Sequence, residues 1–194
     1  MNYLAHAYLS FNRPAVIAGN ITSDYIKGKK QYDYPEDIRK GIILHRAIDA
    51  FTDEHPVNKE AMNIFRPHYR LYSAAFLDIA YDYFLANDRQ HFSDDSLYRF
   101  AQEVYDILDN YEALLPEPFR RVLPAMKKYN WLYNYRNEEG IENSFHGLTH
   151  RARYIAESDT AFILFQKNIE SLRKAYATFF PQLHQFAFTT LQSL

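Results

Sequence analysis

The sequence predicts an all-α protein, a single-domain bundle of about eight to nine helices. Its 194 residues include 5 glycines and 8 prolines, well below the roughly 12% that these two residues average in globular proteins. A β-sandwich or β-barrel needs many tight turns, so this scarcity argues against both. Apolar residues recur with the helical period along most of the chain, and no linker-like composition divides it. We therefore expect one helical domain over residues 1–194.

Five helices are expected in the first half of the chain, over residues 3–11, 15–26, 35–54, 56–65 and 69–86. The segment KKQYDY (29–34) is expected to be a loop. Pro35 is expected at the first position of the third helix, where its missing N–H has no cost. Pro67 is expected to break or kink the chain between the fourth and fifth helices.

Four more helices are expected in the second half, over residues 93–115, 126–136, 141–157 and 159–192. Ser93 is the expected N-cap of the first of these, because its hydroxyl can accept a free backbone N–H. Three prolines at 116, 118 and 124 predict an irregular segment before residue 126. The last helix is expected to bend near Pro181.

Several classes of function are excluded by what the sequence lacks. The glycine-containing segments GNITSD and KGKKQ match neither the dinucleotide fingerprint nor a P-loop, which excludes a Rossmann or P-loop enzyme. The chain has no cysteine, so thiol nucleophiles, thiolate zinc sites and iron–sulfur clusters are excluded. The absence of cysteine suits the reducing cytoplasm, where we expect the protein to act.

Charge and hydropathy argue against nucleic-acid and membrane partners. Lys and Arg number 22 against 24 Asp and Glu, a net charge of −2, so the chain is not globally basic. No apolar run approaches the roughly 18 residues of a transmembrane helix. The N-terminus lacks the positive start and long apolar stretch of a secretory signal.

Three predicted helices carry polar pairs at i, i+4 spacing, which places each pair on one helix face. The pairs are Asn20 with Asp24, His45 with Asp49 (extended by Asp53), and Asp78 with Asp82. Their neighbours are mostly apolar, and a buried carboxylate must pair with a cation or bind a metal. His6 adds an imidazole on the first helix. Such oxygen and nitrogen donors suit Mg²⁺, Mn²⁺, Fe or Zn²⁺.

Spacing alone leaves structural alternatives open. Each pair could form a local hydrogen bond, and His6 could be a satisfied core histidine. Asp78 and Asp82 could instead pair with Arg46, Arg66 or Arg70 in a structural network.

Several motifs together resemble the acyl carrier protein phosphodiesterase family. They are Asn2-Tyr-Leu-Ala-His6, Gly19-Asn20-x-x-x-Asp24, Gly41-Ile-x-Leu-His45-Arg46-x-Ile-Asp49-x-Phe-Thr52-Asp53, Asp78-x-x-Tyr81-Asp82 and Asn130-Trp131-Leu-x-x-Tyr135. The match follows the chain in order over nearly its whole length. Many members of the family have His after the second Asp of the fifth helix, where this chain has Tyr83. That position points about 100° away from the pair's face, so we interpret the change as mild.

The resemblance implies a helical fold related to the HD-type metal phosphohydrolases. It implies hydrolysis of the phosphodiester that joins 4′-phosphopantetheine to a serine of holo-acyl carrier protein, with Mn²⁺ or Mg²⁺ required. The motif positions imply a metal set of His6, Asn20, Asp24, His45, Asp49, Asp78 and Asp82. The carrier protein is acidic, so docking is expected on a basic patch at residues 27–30 or around Arg66 and Arg70.

Catalytic roles follow as hypotheses from the same resemblance. Asp82 or Asp53 is expected to orient the attacking water, and Arg46 is expected to clamp the phosphate with its guanidinium fork. The aromatic residues Tyr25, Tyr81, Tyr83 and Phe84 are expected to line a path for the pantetheine arm.

Two other functions remain open. One is an HD-type phosphohydrolase acting on a nucleotide or another phosphodiester. The other is a helical regulator without chemistry, but the first 30 residues contain only 4 Lys or Arg and supply no basic helix-turn-helix.

Overall fold

Helices make up all the regular secondary structure of the described residues, 1–152 and 155–194, in a computed structural model of the protein. The twelve α-helices of this part are α1 Tyr3–Tyr8, α2 Pro14–Thr22, α3 Glu36–Glu54, α4 Pro56–Ala61, α5 Arg66–Tyr69, α6 Ser73–Ala86, α7 Asp94–Asn110, α8 Glu117–Lys128, α9 Trp131–Asn134, α10 Glu138–Arg151, α11 Asp159–Lys167 and α12 Ile169–Ser193. The all-α prediction is confirmed. Within the same residues, no helix is both long and apolar enough to cross a membrane.

Short 3₁₀ segments account for most differences from the predicted helices of the first half. They span Ser23–Tyr25, Gly28–Asp33, Met62–Ile64 and Arg70–Tyr72, with a fifth later at Glu112–Leu114. The loop predicted at 29–34 is therefore wrong, since most of it lies in the second of these segments. Pro35 is the N-cap of α3 rather than its first residue, because its ψ of 152° is extended and not helical.

In the second half, the prolines break the helices less than predicted. Pro118 lies in the first turn of α8, and Pro124 lies inside the helix. Burial of Phe119, Leu123 and Met126 on one face of α8 supplies the packing that outweighs the hydrogen bond lost at Pro124.

The C-terminal helices also differ from the prediction. The break falls at Asn168, between α11 and α12, while Pro181 lies inside α12. The helix predicted over 141–157 ends at Arg151, and residues 153 and 154 of that range lie outside the described residues.

Ser93 is the N-cap of α7, as predicted. Its Oγ accepts the backbone N–H of Ser96 at 3.2 Å, and the Ser96 Oγ accepts the N–H of Ser93 at 2.8 Å. This reciprocal capping box satisfies two helix-end donors and sets the start of the helix.

The helices share a core dominated by aromatic rings. One cluster of buried side chains draws members from all twelve α-helices of the described residues. Its largest fully buried side chains include Phe76, Phe119, Phe145, Phe165 and Phe179. The 17% aromatic content of the chain thus serves mainly the core, where each ring buries a large apolar area.

Two glycines allow α2 and α3 to touch backbone to backbone. A Cβ on Gly41 would lie 2.3 Å from the carbonyl oxygen of Val16, and one on Gly19 would lie 2.0 Å from that of Ile38. Only glycine permits so close an approach. The contact places the C-terminal end of α2, with Asn20, against the middle of α3, with His45.

Candidate metal centre

Two histidines and one aspartate from different parts of the chain converge in the interior. His6 lies on α1, and His45 and Asp49 lie one turn apart on α3; each offers a donor atom within 4.8 Å of the others. The Asp49 carboxylate bridges the Nε2 atoms of the two rings, with Oδ1 at 3.2 Å from His6 Nε2 and Oδ2 at 3.0 Å from His45 Nε2. Both rings are nearly fully buried.

Asn20 orients both imidazole rings through their Nδ1 atoms. His45 Nδ1 lies 2.7 Å from the Asn20 carbonyl oxygen, and His6 Nδ1 lies 2.8 Å from Asn20 Oδ1. The Asn20 amide nitrogen donates in turn to the carbonyl oxygen of His6 at 2.9 Å and to Ser10 Oγ at 3.0 Å. Nδ1–H donation to these oxygens leaves the Nε2 atoms facing Asp49, the arrangement that metal-binding histidines use. Asn20 therefore supports the cluster rather than contributing an atom to it.

The donor set fits a cation. His6 Nε2 lies 3.1 Å from the Met1 carbonyl oxygen as well as close to Asp49 Oδ1. A neutral His6 that donates from Nδ1 leaves three electron-rich atoms converging here with no proton among them. Asp49 Oδ1 is buried and receives no hydrogen bond within the described residues, although it lies at ion-pair distance from His6 and from the Met1 amine. A divalent ion would satisfy all of these atoms.

Two further carboxylates flank the cluster and face a cleft. Asp24 Oδ1 lies 3.1 Å from His45 Nε2, and the Asp24 side chain is 74% exposed. Asp78 Oδ1 lies 3.0 Å from the Met1 amine, which is itself 3.6 Å from Asp49 Oδ1. Asp24, Asp78 and Met1 line a cleft of about 290 Å³, together with Asn2, Tyr3 and Tyr72. Asp24, which contacts His45, and Met1, which contacts Asp49, therefore connect the cluster to the cleft, although the three cluster residues do not themselves line it.

The two histidines have opposite pKa shifts. Burial, reinforced by the neighbouring His45, lowers the pKa of His6 to about 4. Burial would also lower the pKa of His45, but its hydrogen bonds to Asp24 and Asp49 outweigh that effect and raise it to about 9. In the absence of a metal, the one proton shared by this pair therefore resides on His45 at neutral pH.

The pKa values of the neighbouring carboxyl groups also shift in opposite directions. Burial would raise the pKa of Asp49, but the Met1 amine and the two histidines hold it well below its usual range. The hydrogen bond from His45 lowers the pKa of Asp24. Burial raises the pKa of Asp78 to about 6, against the opposing effect of the Met1 amine. Asp24 and Asp49 are thus ionised at neutral pH and available to a cation.

Asp82 lies one turn from Asp78 on α6 but has other partners. Its Oδ2 accepts the backbone N–H of Leu4 at 2.7 Å, and its Oδ1 accepts those of Asn2 and Ala5, both at 3.3 Å. Three N–H groups at the start of α1 are thus satisfied by a carboxylate from another helix. Burial raises the pKa of Asp82 to about 7, although these hydrogen bonds oppose the shift. Both oxygens are committed to α1, so the structure gives Asp82 a capping position rather than one in the cluster.

The structure does not bring the other two expected catalytic residues into the cluster. Arg46 is exposed, and its guanidinium donates to Gln31 Oε1 at 2.9 Å and to the Ile26 carbonyl oxygen at 3.0 Å. Asp53 is exposed at the end of α3, one turn beyond Asp49. Arg46 therefore holds the segment after α2, and neither residue lines the cleft.

The aromatic wall of the cleft also differs from the expected one. Tyr3 and Tyr72 line it, and the Tyr3 hydroxyl lies 2.9 Å from that of Tyr25. Tyr81 and Phe84 are buried in the core, and Tyr83 packs edge-on against Phe165. The sequence reasoning also missed the Met1 amine, since spacing patterns consider only side chains.

An all-helical fold with a histidine–carboxylate cluster beside a cleft belongs to the class of helix bundles whose binding sites are built from side chains on facing helices. The family model described as "Acyl carrier protein phosphodiesterase" matches residues 1–183. The chain belongs to this family.

Curated relatives agree with the family match. A protein of Yersinia pestis is 29% identical over 184 residues, covering 94% of this chain and 95% of the relative. One from Klebsiella pneumoniae subsp. pneumoniae is 29% identical over 192 residues, covering 96% and 97%. One from Salmonella agona is 27% identical over 189 residues, covering 94% and 95%. All three are named acyl carrier protein phosphodiesterase. No solved structure matches the chain.

Proposed function

We propose that the protein is a metal-dependent phosphodiesterase that releases 4′-phosphopantetheine from holo-acyl carrier protein and leaves the apo form. The family and the names of its relatives support the substrate. The observation that supports the metal dependence is the convergence of His6, His45 and Asp49 beside the cleft, where the buried Asp49 Oδ1 has no hydrogen-bond partner among the described residues. Mn²⁺ or Mg²⁺ is the proposed ion.

His6, His45 and Asp49 would hold the ion, with Asp24 and Asp78 as the flanking carboxylates. A divalent cation at this point would supply neutralisation of the charge on a phosphodiester. Asn20 accepts hydrogen bonds from Nδ1 of both imidazole rings and so orients their Nε2 atoms toward Asp49. Asp24 is ionised and exposed to the cleft, so it is positioned to orient a water molecule against the bound diester.

The cleft suits a slender substrate arm. Its volume of about 290 Å³ accepts an extended chain a few atoms wide but not a folded domain. The carrier protein itself would stay outside, while the phosphodiester and the arm enter between Tyr3 and Tyr72. We place the reaction in the cytoplasm, which the absence of cysteine suits.

The direct test is mass spectrometry of holo-acyl carrier protein after incubation with the enzyme. We expect conversion to the apo mass with Mn²⁺ or Mg²⁺ and none after chelation. Asp49→Asn should abolish conversion while far-ultraviolet circular dichroism stays that of the wild type. Asp53→Asn, on the same helix but exposed, should retain it.

Two results would contradict the proposal. Full conversion by a metal-free preparation would remove the metal from the mechanism. Hydrolysis of nucleotides without conversion of the holo-carrier protein would instead support a phosphohydrolase of different substrate range.

A further inference from the structure

Leu71 is an apolar side chain that the fold presents to solvent. It is 94% exposed, whereas the next most exposed large apolar residue of the described part, Tyr32, is 65% exposed. It lies in the middle of the 3₁₀ segment Arg70–Tyr72, between α5 and α6. Single exposed apolar residues are common, so the position of this one has to be argued from its surroundings.

The segment is anchored on both sides. Tyr69 precedes it and is buried, with its ring against Phe76 and its hydroxyl donating to Glu157 Oε1 at 2.9 Å. Ser73 follows it and is buried, with its Oγ donating to the Arg70 carbonyl oxygen at 2.5 Å. Because the turn is anchored at both ends, the exposure of Leu71 is a property of the folded turn and not the result of a frayed segment.

The backbone at Arg70 is strained. Its φ of 48° and ψ of −114° lie where residues with a side chain rarely occur. Strain of this kind costs about 1–3 kcal/mol and persists where the surrounding structure enforces it. Here the strained residue immediately precedes Leu71.

The turn adjoins the mouth of the cleft, and its own side chains are positively charged, although the Glu157 carboxylate accepts the Tyr69 hydroxyl beside it. Tyr72, the next residue, lines the cleft together with Asp78. Arg66, His68 and Arg70 are exposed around the turn, and no acidic residue occurs between 61 and 77. Neither arginine forms an ion pair within the part of the chain that the structure describes. Their charge is therefore available to an outside partner.

We propose that Leu71, with Arg66 and Arg70 beside it, is the docking point for the protein portion of the substrate. The partner surface that fits is an acidic one with a small apolar hollow for the leucine. Docking there would bring an arm attached to the partner over Tyr72 and toward Asp78. This inference rests on the proposed function, because it takes the carrier protein as the partner.

The test separates docking from chemistry. Fluorescence anisotropy with labelled holo-acyl carrier protein measures binding without turnover. Leu71→Ser should weaken binding about tenfold, the effect of losing roughly half the burial of one leucine. Leu71→Met should restore most of it. Arg66→Gln should weaken binding less and reduce its dependence on salt.

Controls show whether the effect is local. Leu114→Ser changes a leucine that is 43% exposed on another 3₁₀ segment, and it should leave binding unchanged. Hydrolysis of bis(4-nitrophenyl) phosphate, a diester with no protein attached, should be the same in Leu71→Ser and the wild type.

Each remaining outcome has a definite meaning. If the affinity of Leu71→Ser for the carrier protein lies within twofold of the wild-type affinity, Leu71 is not the docking point. The same conclusion follows if the wild type does not bind the carrier protein. Equal losses on the carrier protein and on the small diester also overturn the docking point, because they indicate a damaged cleft. Binding that depends on Leu71 without release of phosphopantetheine supports the docking point and contradicts the proposed function instead.

Discussion

The imidazole rings of His6 and His45 stack face to face, with their centroids 3.9 Å apart and their planes inclined by 16°. The Asp49 carboxylate contacts Nε2 of both rings. Burial, reinforced by the neighbouring His45, lowers the pKa of His6 to about 4, whereas hydrogen bonds to Asp24 and Asp49 outweigh burial and raise the pKa of His45 to about 9. In the metal-free protein this site therefore holds a proton where we place the ion.

The first prediction concerns the stability of the metal-free protein against pH. The pKa of His45 is raised from 6.5 to about 9, so its contribution to stability is complete below pH 6.5 and is lost as pH rises to 9. The pKa of His6 is lowered to about 4, so its contribution is lost only as pH falls from 6.5 toward 4. We expect the free energy of unfolding to decrease by on the order of 2 kcal/mol between pH 6.5 and 9.

Urea denaturation in the presence of a chelator measures this decrease. His45→Gln removes this titrating group and should reduce the decrease over the same interval. A smaller decrease above pH 8 should remain, because Asp78 and Asp49 outweigh burial and raise the pKa of the Met1 amine to about 11. Equal stability of the metal-free wild type at pH 6.5 and 9 would show that His45 does not hold the proton.

A second prediction concerns Asp82→Asn. The amide keeps the size of the side chain but replaces one acceptor oxygen by a donor that faces backbone N–H groups. Loss of these bonds in a fully buried position should cost about 1–3 kcal/mol and loosen α1, which carries His6. Hydrogen exchange at residues 4–8 should accelerate, and Mn²⁺ affinity measured by calorimetry should fall.

The exposed Asp53→Asn is the matched control for that change, and surface substitutions of this kind stay within about 0.5 kcal/mol. Unchanged exchange in α1 of Asp82→Asn would show that the cap does not hold the helix.

The third prediction tests the contact between α2 and α3. A methyl group at Gly41 would lie 2.3 Å from the Val16 carbonyl oxygen, so Gly41→Ala must push the helices apart. Overpacking of this kind costs about 1–3 kcal/mol, more than the roughly 1 kcal/mol gained in helix propensity. Thermal unfolding should occur at a lower temperature, and Mn²⁺ should bind more weakly because Asn20 moves from His45.

Gly147→Ala in α10 provides the comparison, because a Cβ there meets no atom of the described residues within 4 Å. It should raise the unfolding temperature through helix propensity alone. If both substitutions stabilise the protein, the close contact of α2 and α3 is wrong.

The fourth prediction concerns the strain at Arg70. Glycine accepts the φ of 48° and ψ of −114° found at this position, so Arg70→Gly should stabilise the protein by about 1 kcal/mol after the entropy of glycine is subtracted. For a chain of this size the unfolding temperature should rise by about 2–4 °C. Arg66→Gly, in ordinary helical backbone, should lower it. A lower unfolding temperature for Arg70→Gly would contradict the strained geometry.

The helices themselves were predictable because their determinants are local. The all-α class, the N-cap at Ser93 and the third helix, which begins one residue later than predicted, follow from periodicity, capping residues and the scarcity of glycine. Errors arose where packing outweighed a local preference. Pro124 and Pro181 lie inside α8 and α12 because both helices bury an apolar face in the shared core. Sequence spacing does not reveal that burial.

The sequence by itself determined that His45 shares a helix face with Asp49, and Asp78 with Asp82, since 3.6 residues per turn places i and i+4 together wherever the helix lies. The same prediction for Asn20 and Asp24 was wrong, because α2 ends at Thr22 and Asp24 lies in the following 3₁₀ segment. Only the tertiary structure decided which of those faces meet. The close contact of α2 and α3 at Gly19 and Gly41 places Asn20 next to His45. The packing of α1 against α6 lets Asp82 accept backbone N–H groups of α1. It also brings His6 within reach of Asp49. Asp78 and Asp82 have the same spacing as His45 and Asp49. The two pairs nevertheless have different roles, because the burial and the bonding partners of each side chain depend on contacts with residues far away in the chain.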